Sequence, residues 1–483
     1  MKNSVDLDAL MRDTSKGLID KLIQFKPARK FLIHQGEKRL YHKFVEENRD
    51  KVPRTVQQMR SKAMENLLYS IERAIDENRL SDHVRKRAIE TFVGNVLTGE
   101  KDRMKPFRDK HGFNPPSFLT ISPTKRCNLR CTGCYAASSE SNENTLDYET
   151  LTKILHDKHN EWGSNFNVIS GGEPLMYKSG DKDIFYLFHE HSGNFFLMYS
   201  NGTLITDEVA RKLAEAGNVT PAISVEGWEK ETDERRGKGI FRRVLEAMEN
   251  LRKHGVPFGI SVTATRDNAE TILSDEFIDY FFDTQGAIYC WIFQYMPIGR
   301  SYTVDLMVTP EQREWMLQKE LDFIYPQNRF IVDFWNGGPL SLGCISAGKS
   351  GGYFYVDWDG NIAPCVFFPY GIDNVYDIYE RGDTISAPLF SDYFKEIREW
   401  QDEYTGRFSD EKETDNLFIP CPIKDHHRLA EKIINTHDVW PMDADAAKAI
   451  YDEEYHRRMR EHDEELKRRL DPIWKERMLQ KGS

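Results

Sequence analysis

The chain has 483 residues, of which 39% are hydrophobic and 30% charged, and its formal net charge is −12. This length is too great for one simple core, so two or more structural units are expected. The acidic balance argues against a general nucleic-acid binder, and no apolar run approaches the ~18 residues that a membrane-spanning helix needs.

The first 112 residues are predicted to form an N-terminal helical region. Apolar residues recur there at helical spacing among lysines and arginines: Leu7, Leu10, Met11, Leu18, Leu22 and Phe25. A basic amphipathic helix of this kind packs on the protein's own core or lies on a membrane surface, so peripheral membrane contact stays open. Because residues 1–28 contain no secretory signal, the cytoplasm is the expected compartment.

Residues 113–325 are predicted to form an α/β core. Six strands alternate with helices, at 117–122, 165–170, 194–200, 219–226, 257–265 and 287–297. This alternation is typical of parallel strands joined by right-handed crossovers. The predicted fold is therefore a partial (β/α)6 TIM-like barrel, followed by an irregular region at 326–430 and a charged helical tail at 431–483.

Unusual residues follow each predicted strand. The six stretches are CNLRCTGC (127–134), SGGEP (170–174), SNG (200–202), SVEG (224–227), TATRDN (263–268) and QYMPIGR (294–300). Ligands bind at the carboxyl ends of the strands in parallel α/β folds. The sequence therefore predicts one site at that rim.

Three of the seven cysteines, Cys127, Cys131 and Cys134, have the spacing C-x3-C-x2-C with no fourth cysteine nearby. Structural zinc normally takes four ligands, although zinc remains an alternative here. Three thiolates can hold three irons of a [4Fe–4S] cube and leave one iron open. An open metal position is typical of a catalytic site.

Two further stretches carry candidate ligand contacts. Gly171 and Gly172 let the backbone approach a ligand, and Glu173 offers a carboxylate for an ammonium group, although a plain turn is the alternative. Ser224 and Glu226 alternate on the fourth predicted strand, so we expect them on one face. They would bind ribose hydroxyls or form a polar pair at the barrel mouth.

The C-x3-C-x2-C loop after the first strand and GGEP after the second resemble the radical S-adenosylmethionine (radical SAM) superfamily. The resemblance implies that Cys127, Cys131 and Cys134 ligate the cluster and that S-adenosylmethionine chelates the fourth iron. It further implies cofactor contacts from Gly171, Gly172, Glu173, Pro174, Asn201, Ser224, Glu226 and Met296. One departure is Gly133, which stands where the family usually has an aromatic residue, while Tyr135 follows the third cysteine.

The resemblance implies that the protein cleaves S-adenosylmethionine reductively and that hydrogen is then abstracted from an unactivated carbon. The expected cofactors are a [4Fe–4S] cluster and S-adenosylmethionine, and the expected electron donor is a flavodoxin or ferredoxin. An iron–sulfur electron-transfer protein is the alternative of another class. A glycyl-radical activator would usually carry additional ferredoxin-like cysteines near the core, a pattern that is missing here.

The cysteines beyond the core resemble the opening of an auxiliary-cluster module of the SPASM or twitch type. Cys344 and Cys365 flank Gly360 in the pattern C-x15-G-x4-C, and Asp359–Gly360 predicts a β-hairpin. The resemblance implies one auxiliary iron–sulfur cluster, with Cys421 as third ligand. The fourth ligand is left open among Asp425, His426, His427, a substrate atom and water. Buried reduced thiols are the alternative, and Cys290 is predicted to be core packing.

The substrate is predicted to be a peptide or protein, modified oxidatively or by formation of a C–C or C–S bond with help from the auxiliary cluster. The helical N-terminal region resembles that of radical enzymes acting on lipid chains, which is the alternative. The charged tail is expected to be a solvated or partner-facing helix without a catalytic role.

Overall fold

The computed structural model describes residues 16–98, 100–409 and 413–479. The N-terminal part is built from helices joined by short connections. They are Lys16–Gln24, Lys26–Tyr41, Arg54–Asp76, Asp82–Ala88, Glu100–Arg103 and Lys105–His111, with π-helical segments at His42–Glu46 and Ile89–Thr98.

The predicted amphipathic segment is only partly described. Leu7, Leu10 and Met11 lie outside the described residues. Leu22 is half-buried, whereas Phe25 lies beyond the first helix and is 63% exposed. The expectation that Phe25 continues a buried helical face is therefore wrong, because the helix ends at Gln24 and a new one begins at Lys26.

One ten-stranded sheet forms the centre of the molecule. Its strands are β1 Phe118–Ile121, β2 Phe166–Ile169, β3 Phe195–Ser200, β4 Val219–Ser224, β5 Gly259–Ala264, β6 Cys290–Gln294, β7 Ile331–Asp333, β8 Tyr355–Val356, β9 Asn361–Ala363 and β10 Asp373–Asn374. The order is β10-β9-β8-β1-β2-β3-β4-β5-β6-β7. Strands β1 to β7 pair in parallel, so the predicted α/β class with a partial barrel is confirmed.

Helices cover the outer face of the parallel strands. They are Tyr148–Asp157, Ile184–Glu190, Asp207–Ala216, Glu229–Arg236, Ile240–Lys253, Ala269–Ile272, Asp275–Asp279 and Pro310–Ile324, with π-helical segments at Lys158–Trp162 and Tyr280–Thr284 and 3-10 turns at Pro174–Met176 and Val304–Leu306. Helix Ile240–Lys253 shows why they form. It buries Val244, Met248 and Leu251 at helical spacing against the sheet and leaves its charged residues outside.

The sheet continues past residue 325, where the sequence suggests a domain limit. Strand β7 extends the parallel order beside β6, and β8 pairs in parallel with β1 on the other side. Strands β8 and β9 form the predicted hairpin, whose turn residue Gly360 has φ +81°. Two short antiparallel pairs lie outside this sheet, Lys178–Ser179 with Lys182–Asp183 and Tyr370–Gly371 with Trp440–Pro441.

The remaining helices are Gly338–Ser341, Val375–Glu380, Asp392–Thr405, His427–Thr436, Ala444–Ala449 and Glu453–Arg477, with a 3-10 turn at Ala387–Phe390. Helix Glu453–Arg477 is not simply solvated. It buries one face through Met459, Leu466, Leu470 and Trp474, so the tail belongs to the core on that side. Within the described residues, none of the helices combines the length and the apolar character needed to cross a membrane.

Candidate functional site

Six of the seven cysteines line one cavity of about 500 Å³. The cavity begins at the carboxyl ends of the strands and reaches into the partial barrel, where side chains at every second strand position form its wall. Phe118, Phe166, Leu197, Trp291 and Phe293 make this wall largely apolar. The structure therefore brings the two cysteine groups, which are far apart in the sequence, to the same cavity.

Cys127, Cys131 and Cys134 lie in the loop after β1. Cys127 is 8% exposed, and its Sγ is 3.5 Å from the backbone nitrogen of Leu129 and 3.7 Å from Asn201 Nδ2. Burial raises the pKa of the Cys127 thiol to about 12, against the hydrogen bond from Leu129. Burial also raises the pKa of Cys131, although the charge of Arg236 opposes that shift. A positively charged group bound beside them would favour the thiolate forms.

The positions of the three sulfurs bear on the choice between a zinc ion and a larger cluster. Two thiolates on one zinc ion lie about 3.8 Å apart, given Zn–S bonds of about 2.3 Å in a tetrahedron. Among the described residues, the two groups of side chains whose ligand atoms all lie within 4.8 Å contain no cysteine. The three sulfurs are thus not gathered as closely as three ligands of one zinc ion, and the cavity beside them leaves room for a larger group.

Two arginines that the sequence reasoning missed brace the cysteine loop. Arg300 donates from Nη1 to the carbonyl oxygen of Cys131 at 2.7 Å and from Nη2 to that of Ser138. Arg235 lies against the loop on the other side, since the backbone nitrogen of Thr132 donates to its carbonyl oxygen at 3.0 Å. Arg300 ends the QYMPIGR stretch, so its place after β6 was the available signal.

The two glycines of GGEP pack against the start of the cysteine loop. A Cβ on Gly172 would lie 2.2 Å from the carbonyl oxygen of Arg126, and one on Gly171 would lie 2.8 Å from that of Thr124. The backbone nitrogens of Gly172 and Glu173 donate to Thr124 and Arg126 at 2.9 and 2.8 Å. Both glycines line the cavity, but the close approach that they permit is to the protein itself.

We expect Gly172→Ala to displace the cysteine loop, because the added Cβ meets backbone that cannot rotate away. The expected cost is on the order of 1–3 kcal/mol, together with a loss of bound iron. Thermal unfolding and iron content per chain measure the two effects. Gly193→Ala is the matched control, because its Cβ would lie 3.9 Å from the nearest atom. Equal iron content in both variants would show that this packing does not hold the loop.

Glu173 is fully buried and points into the protein. Its Oε1 accepts from Ser200 Oγ at 2.8 Å, and its Oε2 accepts from the backbone nitrogen of Asn201 at 2.8 Å. Burial raises the pKa of Glu173 to about 7, against these hydrogen bonds. The carboxylate ties the stretch after β2 to the stretch after β3, and contact with a cofactor ammonium group stays a prediction.

Ser224 and Glu226 do not share a strand face. Strand β4 ends at Ser224, so the alternation expected of them is wrong. Ser224 lines the cavity, whereas the Glu226 carboxylate is fully buried and accepts from Arg235, Arg236 and the backbone nitrogen of Thr263. Burial by itself lowers the pKa of the Arg236 guanidinium group. Attraction by Glu226 and the nearby Cys131 outweighs this effect, so the pKa is raised.

The other predicted cofactor contacts divide into two groups. Asn201 and Met296 line the cavity, while Pro174 is buried at the start of a 3-10 turn. Tyr135 also lines it, and its hydroxyl bonds with Ser170 Oγ at 2.7 Å and accepts from the Gly171 nitrogen at 2.9 Å. Tyr135 thus connects the cysteine loop to GGEP.

The three cysteines beyond the core converge on the same cavity from three segments. Cys344 and Cys365 come together because the backbone nitrogen of Ala347 donates to the carbonyl oxygen of Pro364 at 2.9 Å. The Tyr353 hydroxyl is 3.0 Å from Cys365 Sγ. Burial raises the pKa of Cys365 to about 12 and also raises that of Cys421. Cys290 is buried in β6, where burial raises its thiol pKa, and it packs in the core.

The side chains suggested as a fourth auxiliary ligand point elsewhere. Asp425 is ion-paired with Arg313 and accepts from the Cys421 nitrogen. His426 Nε2 bonds with the carbonyl oxygen of Ile419 at 2.9 Å, and His427 faces His456. These contacts favour a substrate atom or water as the fourth ligand, which stays a prediction.

The N-terminal helices complete the cavity wall. Arg60, Ala63 and Met64 of helix Arg54–Asp76 line it, together with Phe44. Arg60 also donates to the carbonyl oxygen of Leu340, near Cys344. This region thus encloses the space that the core strands leave open.

Comparison with known proteins shows similarity to one family over part of the chain. Residues 121–274 match the model of the radical SAM superfamily. The chain is 35% identical to the Fe-coproporphyrin III synthase of Methanosarcina barkeri over 151 residues, which is 31% of this chain and 37% of that protein. It is 29% identical to the mycofactocin maturase MftC of Mycolicibacterium smegmatis over 307 residues, 60% of this chain and 75% of that one.

The chain thus spans little more than a third of the synthase and three quarters of the maturase. Among solved structures, it is similar to Streptococcus suis SuiB bound to the precursor peptide SuiA. That match has a TM-score of 0.49 and 18% identity and covers 62% of this chain and 70% of that one.

Proposed function

We propose, from the premise that this chain belongs to the radical S-adenosylmethionine superfamily, that it is an oxidative radical enzyme whose substrate enters the cavity between two iron–sulfur groups. The family uses a [4Fe–4S] cluster and S-adenosylmethionine. When bound, they supply hydrogen abstraction at an unactivated carbon. The observation that carries the proposal is that both cysteine groups face one enclosed, largely apolar space.

The residues of the chain have distinct tasks in this proposal. Cys127, Cys131 and Cys134 hold the cluster, while Arg300 and Tyr135 keep their loop in place. Aromatic side chains exclude water from the reacting carbon, which protects a reactive species from side reactions. Ser224 and Asn201 offer the polar contacts that orient a cofactor at the rim.

Cys344, Cys365 and Cys421 would hold an auxiliary cluster on the far side of the substrate. Because no other candidate side chain reaches it, a coordination position would be left for substrate or water. Such a cluster can accept the electron that an oxidised substrate gives up, and a flavodoxin or ferredoxin would supply the electron for the first cluster.

We infer that the substrate is a peptide or protein, of which one side chain enters the cavity. The cavity volume of about 500 Å³ lies within the range of small-molecule sites. Support comes from MftC, a relative named a maturase, which the chain matches over 60% of its length. The apolar wall, including Ala63 and Met64, favours a lipid chain as second candidate.

The test begins with the anaerobically reconstituted protein, a reductant and S-adenosylmethionine. We expect 5′-deoxyadenosine to form, and to form faster when the substrate is present. Peptide and lipid extracts from cells with and without the protein are then compared for material that stimulates this reaction. No 5′-deoxyadenosine from protein with full iron content would contradict the proposed activity, and stimulation by lipid alone would replace the peptide.

A further inference from the structure

Three potential metal ligands meet between two C-terminal helices, away from the cysteine cavity. His427 and Glu431 are one turn apart on helix His427–Thr436, and His456 lies on helix Glu453–Arg477. Their ligand atoms all lie within 4.8 Å of one another. His427 and His456 are 4% and 9% exposed, and Tyr455 packs against both rings.

The two histidines lack one proton for their contacts. His427 Nδ1 is 3.1 Å from the carbonyl oxygen of Ile423, and His456 Nε2 is 3.0 Å from that of Ile450. The remaining nitrogens, His427 Nε2 and His456 Nδ1, are 2.8 Å apart. Each of the three contacts needs one proton, whereas two neutral imidazoles supply two. If each ring donates its one N–H to a backbone carbonyl oxygen, His427 Nε2 and His456 Nδ1 are both unprotonated, and their lone pairs face each other.

A metal ion between the two nitrogens removes this conflict. Histidine ligands in metal sites typically donate their second ring N–H to a backbone carbonyl, which is the arrangement of both rings here. Glu431 supplies an oxygen 3.6 Å from His456 Nδ1 and is itself held by Arg460 Nη1 at 2.7 Å. Ligating carboxylates are commonly hydrogen-bonded in this way.

We propose that His427, Glu431 and His456 bind a divalent transition-metal ion such as zinc. Two histidines and a carboxylate are a common zinc ligand set, with water in the fourth position. Zn–N bonds of about 2.0–2.1 Å place the two nitrogens about 3.3 Å apart in a tetrahedral site, which a small ring rotation achieves.

The competing arrangement is an extra proton that turns one imidazole into an imidazolium. His427 and His456 are both buried, and burial disfavours the charged form of an imidazole. Arg460 adds a positive charge nearby. Asp463 accepts from the His427 backbone nitrogen.

The metal ion would connect the C-terminal tail to the cysteine cavity. Helix His427–Thr436 begins six residues after Cys421, which lines the cavity. Fixing this helix to helix Glu453–Arg477 would restrict the segment that carries the cysteine. The proposal does not depend on the proposed reaction, because metal binding is measured without turnover.

Zinc binding by the full-length, untagged protein with its iron–sulfur groups in place tests the proposal. One equivalent of zinc is added after dialysis, and metal content and zinc-edge X-ray absorption are measured. We expect about one zinc per chain, with nitrogen and oxygen ligands at about 2.0–2.1 Å. His456→Gln and Glu431→Gln should each weaken binding at least about tenfold.

His437→Gln is the matched control, because this histidine directly follows helix His427–Thr436 and bonds with Glu396 of helix Asp392–Thr405 at 2.6 Å. It should retain zinc. If His456→Gln does not fold, Glu431→Gln decides the question, since that side chain is 22% exposed. The proposal is overturned if no zinc binds, if zinc has sulfur ligands at about 2.3 Å, or if the variants bind zinc as tightly as the control.

Discussion

Cys131→Ala is expected to abolish formation of 5′-deoxyadenosine from S-adenosylmethionine. The thiol lines the cavity beside Cys127 and Cys134, and two remaining thiolates cannot hold three irons. The rate should fall at least about 10³-fold, because enzymes commonly exceed the uncatalysed reaction by about 10⁶-fold or more. Iron content should fall by about four per chain, the content of one cube.

The substitution isolates the thiol from the fold of its loop. Arg300 holds the carbonyl oxygen of Cys131, not its side chain, so alanine keeps the backbone in place. Cys290→Ala is the matched control. This cysteine is 1% exposed in β6, so its loss should cost about 1 kcal/mol of stability and leave iron content unchanged. If Cys131→Ala forms 5′-deoxyadenosine at the rate of the control, the cysteine assignment is wrong.

The parallel core is predictable from sequence because its signals are local. Strands β1 to β6 fall inside the six predicted ranges, since apolar runs between turn residues and amphipathic helices mark them. The resemblance to the radical SAM superfamily rests on equally local signals, because the cysteine loop and GGEP are short, contiguous motifs and both lie within residues 121–274, which match that family's model. Position after a strand was enough to locate the rim.

What sequence reasoning missed depends on contacts between distant residues. Strand β7 has three residues, too few for a periodic pattern, yet it extends the sheet. The hairpin of β8 and β9 is predictable from its turn, but the parallel pairing of β8 with β1 is not. The pairing of Glu226 with Arg235 and Arg236 shows only in three dimensions. The few buried residues of helix Glu453–Arg477 stand among many charged residues, so its sequence predicts a solvated helix.

Loss of an auxiliary cysteine should abolish product formation but not the cleavage of S-adenosylmethionine. Loss of Cys131 should abolish both. We expect Cys365→Ala to retain 5′-deoxyadenosine formation without substrate and to lose product formation at least about 100-fold. The physical reason is position. Cys365 lies on the segment after the β8–β9 hairpin and not in the loop after β1, so the first three thiolates keep their places.

Iron content, uncoupled 5′-deoxyadenosine and substrate-derived product are measured on one preparation. Iron should fall by about four per chain. Cys421→Ala should behave alike, because Cys421 reaches the same cavity from a third segment. Tyr353→Phe is a milder variant in the same region. It keeps the aromatic ring but removes the hydroxyl that lies 3.0 Å from Cys365 Sγ. We expect it to keep its iron and to lower only the rate of product formation. An auxiliary cluster that only receives an electron from the substrate has no part in the cleavage of S-adenosylmethionine. If Cys365→Ala loses cleavage and product formation equally, the two cysteine groups therefore form one functional unit, and the proposed separation is wrong.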